Sequence, residues 1–436
     1  VSSETPVPPP VPAARGPLTG PAAAAPAVFE GPAAEGSAAG AGRLLVVSAS
    51  MGSGHDTVAA ELVRRARAAG KEAQIVDVLE LLPWGLGTGL RGGYQAVVRH
   101  CPWVYAGVYD LFLRPGPRPR PSGTPLARLA GDRLLELVRR SRADLVVPVF
   151  HLAAQLTGHL RAHGTLRVPS AVVVVDFAVH RQWLHPGNDL HLCLTDRAAD
   201  EVRAALGRPA RVTGPVVDPA FFAGPAPGTP EPTQPSESSG APEPSESSNS
   251  DSDPHSDSDS DSDSSEWRRR FEPYGPGRPA VLVSAGAWGA GARLHRTARL
   301  LAAHGYLPVV LCGRNDRLRR ALSTVPGVLT PGWVTDMPAL LRACAALVDN
   351  AAGQTAVQAL AAGLPVVGYR PLPGHGAEGV RRMAAAGVSD HVPDEAGLLA
   401  SLARLTARGP ERERRVAAGR ALFRADALAE AVRPPG

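Results

Sequence analysis

The chain has 436 residues, 46 Lys and Arg against 41 Asp and Glu, a formal net charge of +5 and four cysteines. Cys101, Cys193, Cys312 and Cys344 lie far apart with no CxxC pair, which argues against a disulfide framework or a cysteine-built zinc site and fits a reducing cytoplasm. The longest apolar runs, such as Ala171 to Val175, are too short to span a bilayer, and the start lacks the basic-then-apolar pattern of a signal peptide.

In chain order, Val1 to Gly42 is rich in Pro, Ala and Gly and is expected to be a disordered tail. A strand at Leu44–Val47 then runs into a turn containing Gly52 and Gly54. Apolar residues at Val58, Ala59, Leu62, Val63 and Ala66 follow at helical spacing. Further strands are expected at Gln74–Val78, Leu145–Val149, Ala171–Val175 and His191–Leu194, with helices between them. Ala223 to Glu266 is a Pro/Ser/Glu stretch that becomes a Ser-Asp repeat, and it is expected to be a disordered linker. A second alternating unit has strands at Val281–Ser284, Leu307–Leu311, Val328–Thr330, Ala346–Val348 and Pro365–Gly368. A final helix, about Glu411 to Glu430, is placed to pack back on the first unit. The reading is an α/β protein with two doubly wound, Rossmann-like domains, 43–222 and 267–436, facing a cleft.

Charge is unevenly spread. From Glu231 to Glu266 there are eleven acidic residues and no Lys or Arg, so the remainder carries +16, almost all of its cations arginine. Arginine suits phosphate, either a nucleotide diphosphate or anionic lipid head groups. No compact basic motif for nucleic acid is present.

Several residues stand where chemistry is done. His55 opens the first helix, whose N-terminal partial charge disfavours an imidazolium. It reads either as a neutral general base or as a turn histidine facing water. His151 follows the strand Leu145–Val149, as a hydrogen-bonded strand-end histidine or a second cleft residue. Asp176, His180, Trp183 and His185 fall within ten residues, and a metal-binding reading of them is conceivable. In the second unit three small-residue loops follow strands: Ser284–Gly291 with Gly286 and Gly289, Leu311–Asp316 with Arg314 and Asn315, and Asp349–Thr355 with Gly353, Gln354 and Thr355. Such turns bind phosphate through backbone N–H groups. Their spacing matches neither GxGxxG nor GxxxxGK[ST]. Trp84 to Leu113 holds Trp84, Trp103, Tyr94, Tyr105 and Tyr109 and runs into the basic RPGPRPRP of Arg114–Pro121. It reads as a lipid-interface surface or as a core helix pair.

Taken together, SASMGSGHD (Ser48–Asp56), Val175–Asp196, TGPVVDPAF (Thr213–Phe221), LCGRND, Pro331–Val367 and PLPGHGAEGV (Pro371–Val380) resemble the monogalactosyldiacylglycerol synthase family of glycosyltransferases. The resemblance implies a GT-B fold and inverting transfer of a hexose from a UDP-sugar to a lipid hydroxyl such as that of diacylglycerol. It implies no essential metal, and the DSD triplets of the linker lack the rigid frame a carboxylate metal site needs. His55 stands at the family's proposed base. Gly54, His151, Asp176, His180 and Trp183 fall on the acceptor side. Gly286, Gly289, Arg314 and Asn315 fall on the donor side. Gly353 and Thr355 match the diphosphate turn, with Gln354 between them replacing a frequent apolar residue; Trp333 to Met337 match the uracil frame, and Pro373, Gly374 and His375 the sugar loop. Gln358 stands where a glutamate usually holds the ribose, and Gly379 replaces a frequent asparagine. A soluble acceptor, or a non-catalytic UDP-sugar or lipid-binding role, are the alternatives. A cytoplasmic protein, peripheral on the inner face of an anionic membrane, is expected.

Overall fold

The computed structural model describes residues 42–114, 122–222 and 259–433. The expected tail, most of the expected linker and the segment after Arg114 lie outside the described residues. In the N-terminal lobe β1 (Arg43–Ser48) lies between β2 (Glu72–Asp77) and β3 (Leu145–Pro148), all parallel. β4 (Ala171–Val173), β5 (Leu190–Cys193) and β6 (Ala210–Val212) continue in parallel, joined to β3 by a bridge between Val146 and Ser170. The helices of this lobe are α1 (Ser53–Ala68), α2 (Leu86–His100), α3 (Pro102–Val108), α4 (Thr124–Arg128), α5 (Gly131–Ser141), α6 (His151–Ala162) and α7 (Asp196–Leu206).

The C-terminal lobe opens with α8 (Asp259–Phe271). Its five strands are β7 (Ala280–Ser284), β8 (Leu307–Leu311), β9 (Ala346–Asp349), β10 (Val366–Tyr369) and β11 (Ser389–Val392), in the order β11-β10-β9-β7-β8. Its helices are α9 (Leu294–Ala303), α10 (Asp316–Ser323), α11 (Met337–Ala343), α12 (Gln354–Ala361), α13 (His375–Ala385), α14 (Glu395–Thr406), α15 (Pro410–Arg420) and α16 (Ala427–Val432).

The central strands are apolar along their whole length because helices cover both faces. Leu44, Leu45, Val46 and Val47 are all buried, as are Val281, Leu282 and Val283. Chain order reverses on either side of β1 and again on either side of β7. At such a reversal neighbouring crossovers leave to opposite faces and open a crevice beyond the strand ends. The loops after β1, β3, β7 and β9 therefore border the two crevices, and these carry His55, His151, Gly286 and Gly353.

Four local expectations need correction. The acidic repeat is helical from Asp259, inside the expected linker, because α8 buries Trp267 and Phe271 in the C-terminal core. Val328–Thr330 forms no strand, only a bridge from Leu329 to Val309. β11 went unread because its sequence, SDHV, is polar; it is an edge strand whose Asp390 is held by Arg404 and Arg415. The final helix is two, α15 and α16, broken where Arg424 and Ala425 donate their N–H groups to Thr213 O at 3.0 Å each. Asp426 then caps α16, which buries Ala427, Leu428 and Ala431 against Leu44, Leu62 and Val147 of the N-terminal lobe.

Candidate active site

β1 delivers the chain to a glycine turn that lies against the other lobe. A Cβ on Gly54 would lie 3.5 Å from Cβ of Gln354. The first turn of α1 thus touches the first turn of α12, and two helix N-termini, each with unpaired N–H groups and partial positive charge, meet across the cleft. His55 sits in that turn. Its Nδ1 is 2.8 Å from Val149 O, in the segment that follows β3. A carbonyl only accepts, so Nδ1 carries the hydrogen and Nε2 of the neutral ring is a free acceptor. The ring stands edge-on to Phe150 at 4.9 Å and 6.4 Å from Trp183. Burial lowers its pKa below 6.5, against the opposing pull of Asp176 and the Val149 hydrogen bond. The packed ring rules out a turn histidine standing in water.

Asp176 is the anionic centre of the N-terminal side. Trp183, fully buried, donates its indole N–H to Asp176 Oδ2 at 2.7 Å, and His180 Nε2 lies 3.5 Å from the same oxygen. Burial would raise the Asp176 pKa, but the His180 hydrogen bond and the surrounding histidines prevail and hold it well below the usual carboxylate range. His180 Nδ1 is buried and finds no partner among the described residues. His151 packs at 5.0 Å from the His180 ring, and burial, followed by His180 and His55, pushes it well below the ordinary histidine value. His185 leaves this group: it faces Gly158 of α6 and accepts from Gly187 N at 3.1 Å, and burial pushes it to about 4. The conceivable metal set of Asp176, His180 and His185 is therefore not assembled, and among the described residues no group of three or more such side chains is placed to hold a metal.

On the C-terminal side the loops after β7 and β8 interlock. A Cβ on Gly289 would lie 2.4 Å from Cys312 O, and one on Gly313 would lie 2.4 Å from both Gly286 O and Ala287 O. Both Gly286 and Gly289 have positive φ, 65° and 61°, which favours glycine there. Asn315, expected at the donor, is instead a structural cap: its Oδ1 accepts from Leu318 N at 3.0 Å and its Nδ2 donates to Gly289 O at 3.2 Å. Gln354 is likewise committed, donating across the cleft to Val216 O at 3.1 Å. Met337 packs against the C-terminal core. Trp333 remains 55% exposed, with the Arg314 guanidinium carbon 5.1 Å from its ring centroid. Gly353 starts α12, Thr355 follows in its first turn, and Gln358 lies one turn on, half-buried.

The two sides meet again at His375, the first residue of α13. The Tyr105 hydroxyl and His375 Nδ1 are hydrogen-bonded at 2.6 Å, and burial pushes the histidine pKa down. Gly374 (φ 81°) is needed because a Cβ there would lie 2.9 Å from Tyr109 Cβ. Beside it a cavity of about 370 Å³ is lined by Tyr109, Arg114, Val179, Glu378 and Arg381 among others. Tyr105, Trp288 and Arg99 were not anticipated as contributors to the cleft. The aromatic content of Trp84–Leu113 is visible in the sequence, but its partners in the other lobe, Trp288 O for Arg99 and His375 for Tyr105, lie 189 and 270 positions away. Buried Gln182, next to Trp183, holds this segment by donating to Phe112 O at 2.8 Å and accepting from Gly123 N at 2.8 Å.

Residues 55–217 match the family model described as monogalactosyldiacylglycerol (MGDG) synthase. A processive diacylglycerol beta-glucosyltransferase of Bacillus subtilis (strain 168) is 23% identical over 257 residues, 57% of this chain and 56% of that protein. The chain thus spans about half the length of the curated relatives it matches. Among solved structures, the glycotransferase of kitacinnamycin is similar with a TM-score of 0.53 at 14% identity, covering 89% of this chain and 97% of that one. CalG4, the calicheamicin glycosyltransferase, is similar with a TM-score of 0.50 at 14% identity, covering 87% and 93%. The fold is the two-lobed GT-B type, and of the segments that carry the resemblance the family match covers Val175–Asp196 whole and begins at His55.

Proposed function

We propose that this chain, MGDG synthase-like over residues 55–217, transfers a hexose from a UDP-sugar to a lipid hydroxyl such as that of diacylglycerol, with inversion. The observation that carries the reading is the meeting of the α1 and α12 first turns beside a neutral His55 whose Nε2 is free. Two helix N-termini favour a diphosphate. The acceptor hydroxyl gives its proton to His55 Nε2 as its oxygen attacks the anomeric carbon. The bond from that carbon to the UDP oxygen breaks on the opposite face, and the electron pair leaves with UDP. The charge developing on the diphosphate is met by backbone N–H groups already in place. Asp176 favours the imidazolium that forms, since its charge raises the His55 pKa. No step calls for a metal in this reading.

The lipid side of the proposal rests on the same lobe. Trp84 is 86% exposed, Trp103 74% and Leu111 52%, with Leu86, Leu90 and Val108 also exposed. α2 itself buries only Gly87 and Val98, which leaves most of its surface open. Trp84 also adopts φ 55°, a strained backbone for a large side chain. Exposed indoles near arginines suit the head-group layer. Among the described residues no helix is long and apolar enough to cross a membrane. Trp84→Glu combined with Trp103→Glu is expected to cut co-sedimentation with anionic vesicles by about tenfold or more, with no change in UDP affinity.

The test is transfer of labelled hexose from UDP-hexoses to diacylglycerol in vesicles. Lipid product supports the reading. Transfer to soluble acceptors alone, or UDP binding without turnover, replaces it with one of the alternatives. Gln358 supplies a test of the donor side. If it faces the ribose, Gln358→Glu restores a charge-assisted acceptor and tightens UDP binding by about fivefold, roughly 1 kcal/mol. Unchanged calorimetric affinity would remove Gln358 from the donor site.

A further inference from the structure

We infer that Arg99 is a positioning residue for the donor crevice, and that through it the seating of α2 on a bilayer is coupled to UDP binding. The inference rests on the function proposed above. Apart from Gly87 and Val98, α2 is exposed or only half-buried, so the protein core holds it lightly. Arg99, in its last turn, reaches the other lobe. Its Nε donates to Trp288 O at 2.9 Å and its Nη2 to Arg314 O at 3.4 Å. The guanidinium carbon also lies 5.9 Å from the Trp288 ring centroid.

These two carbonyls belong to different loops, the one after β7 and the one after β8, which interlock at Gly289 and Gly313. Trp288 extends the tie, since its indole N–H donates to Met51 O at 2.8 Å, just ahead of the GSGH turn. Arg314 extends it in the other direction, with its guanidinium set near exposed Trp333. One side chain thus connects a lipid-facing helix to both loops at the mouth of the C-terminal crevice. The planar fork of arginine serves two carbonyls at once, which an ammonium does less well. A bilayer that confines α2 confines Arg99, and loops already confined lose less freedom when a nucleotide binds.

The test is calorimetry with UDP on the full chain, with and without saturating vesicles of phosphatidylcholine, phosphatidylglycerol and diacylglycerol. It compares wild type, Arg99→Ala and Arg99→Lys. Vesicles should tighten UDP binding to wild type several-fold. Arg99→Ala should bind UDP about tenfold more weakly with vesicles present, show no vesicle response and still pellet with the vesicles; Arg99→Lys should fall between. Equal UDP affinity and equal vesicle response in wild type and Arg99→Ala overturn the inference. Amide exchange over 284–291 and 311–316 supplies a readout that needs no nucleotide. Vesicles should slow it in wild type and leave it unchanged in Arg99→Ala, and identical behaviour in the two proteins again overturns the inference. Vesicle-dependent exchange in a wild type that binds no UDP supports the tie and counts against the donor assignment alone.

Discussion

Replacing His55 by alanine is expected to lower kcat for lipid glycosylation by about 10²–10⁴-fold, while calorimetric UDP affinity changes by less than about twofold. The substitution removes the Nε2 acceptor together with the Nδ1 bond to Val149 O and the ring contacts with Phe150 and Trp183. The pH dependence separates a base from a packing residue. Burial lowers the His55 pKa below its ordinary 6.5, with Asp176 opposing. The base is competent when neutral, so activity falls as pH drops through this lowered value. The acid limb of kcat/KM in wild type should therefore lie below pH 6.5, and it should be absent from the residual rate of His55→Ala. A mutant that keeps both the rate and the limb would remove His55 from the chemistry.

Asp176→Ala is expected to destabilise the protein by about 2–4 kcal/mol. It leaves the indole N–H of fully buried Trp183 and the Nε2 of buried His180 without their acceptor. Asp176→Asn keeps an acceptor of the same shape and should lose less, which a denaturant titration would reveal as a smaller drop in midpoint. The sign with pH follows from the direction of the shift. The folded-state pKa is depressed below 3.8, by the His180 hydrogen bond and the neighbouring histidines against the effect of burial. The stability due to the carboxylate is complete above that ordinary value and is lost as pH falls through the lower folded one. Mild acid should therefore not mimic the substitution. Equal midpoints for wild type and Asp176→Ala at neutral pH would show that Asp176 does not hold this wall of the cleft.

The two deletions act on different levels. His55 is expected to change rate more than stability, because Nε2 is the ring atom left for the cleft while Nδ1 holds Val149 O. Asp176 is expected to change both, because the fixed positions of Trp183 and His180 depend on it and its charge acts on His55.

Strand-and-turn order was legible in the residues because it is local. An apolar run such as Leu44–Val47 followed by glycine and an amphipathic repeat can only be a buried strand feeding a helix, and the parallel, doubly wound arrangement follows from repeating that unit. The same local signals place His55, His151 and Gly353 at strand ends or helix starts. Which side chains in those turns remain available was decided by packing between segments distant in the chain. Asn315 and Gln354 have the right position and type for ligand contact, yet one caps α10 and the other spans to Val216 O. His185 lies close in sequence to His180, but Gly158 draws it to α6. Tyr105 reads in the sequence as part of a lipid-interface or core helix segment, and Arg99 as an unremarked arginine beside it, until the C-terminal lobe supplies His375 and Trp288 as partners. Periodicity reports on neighbours within a few residues, whereas a hydrogen bond across a cleft depends on where two lobes come to rest, and that is set by the summed packing of both.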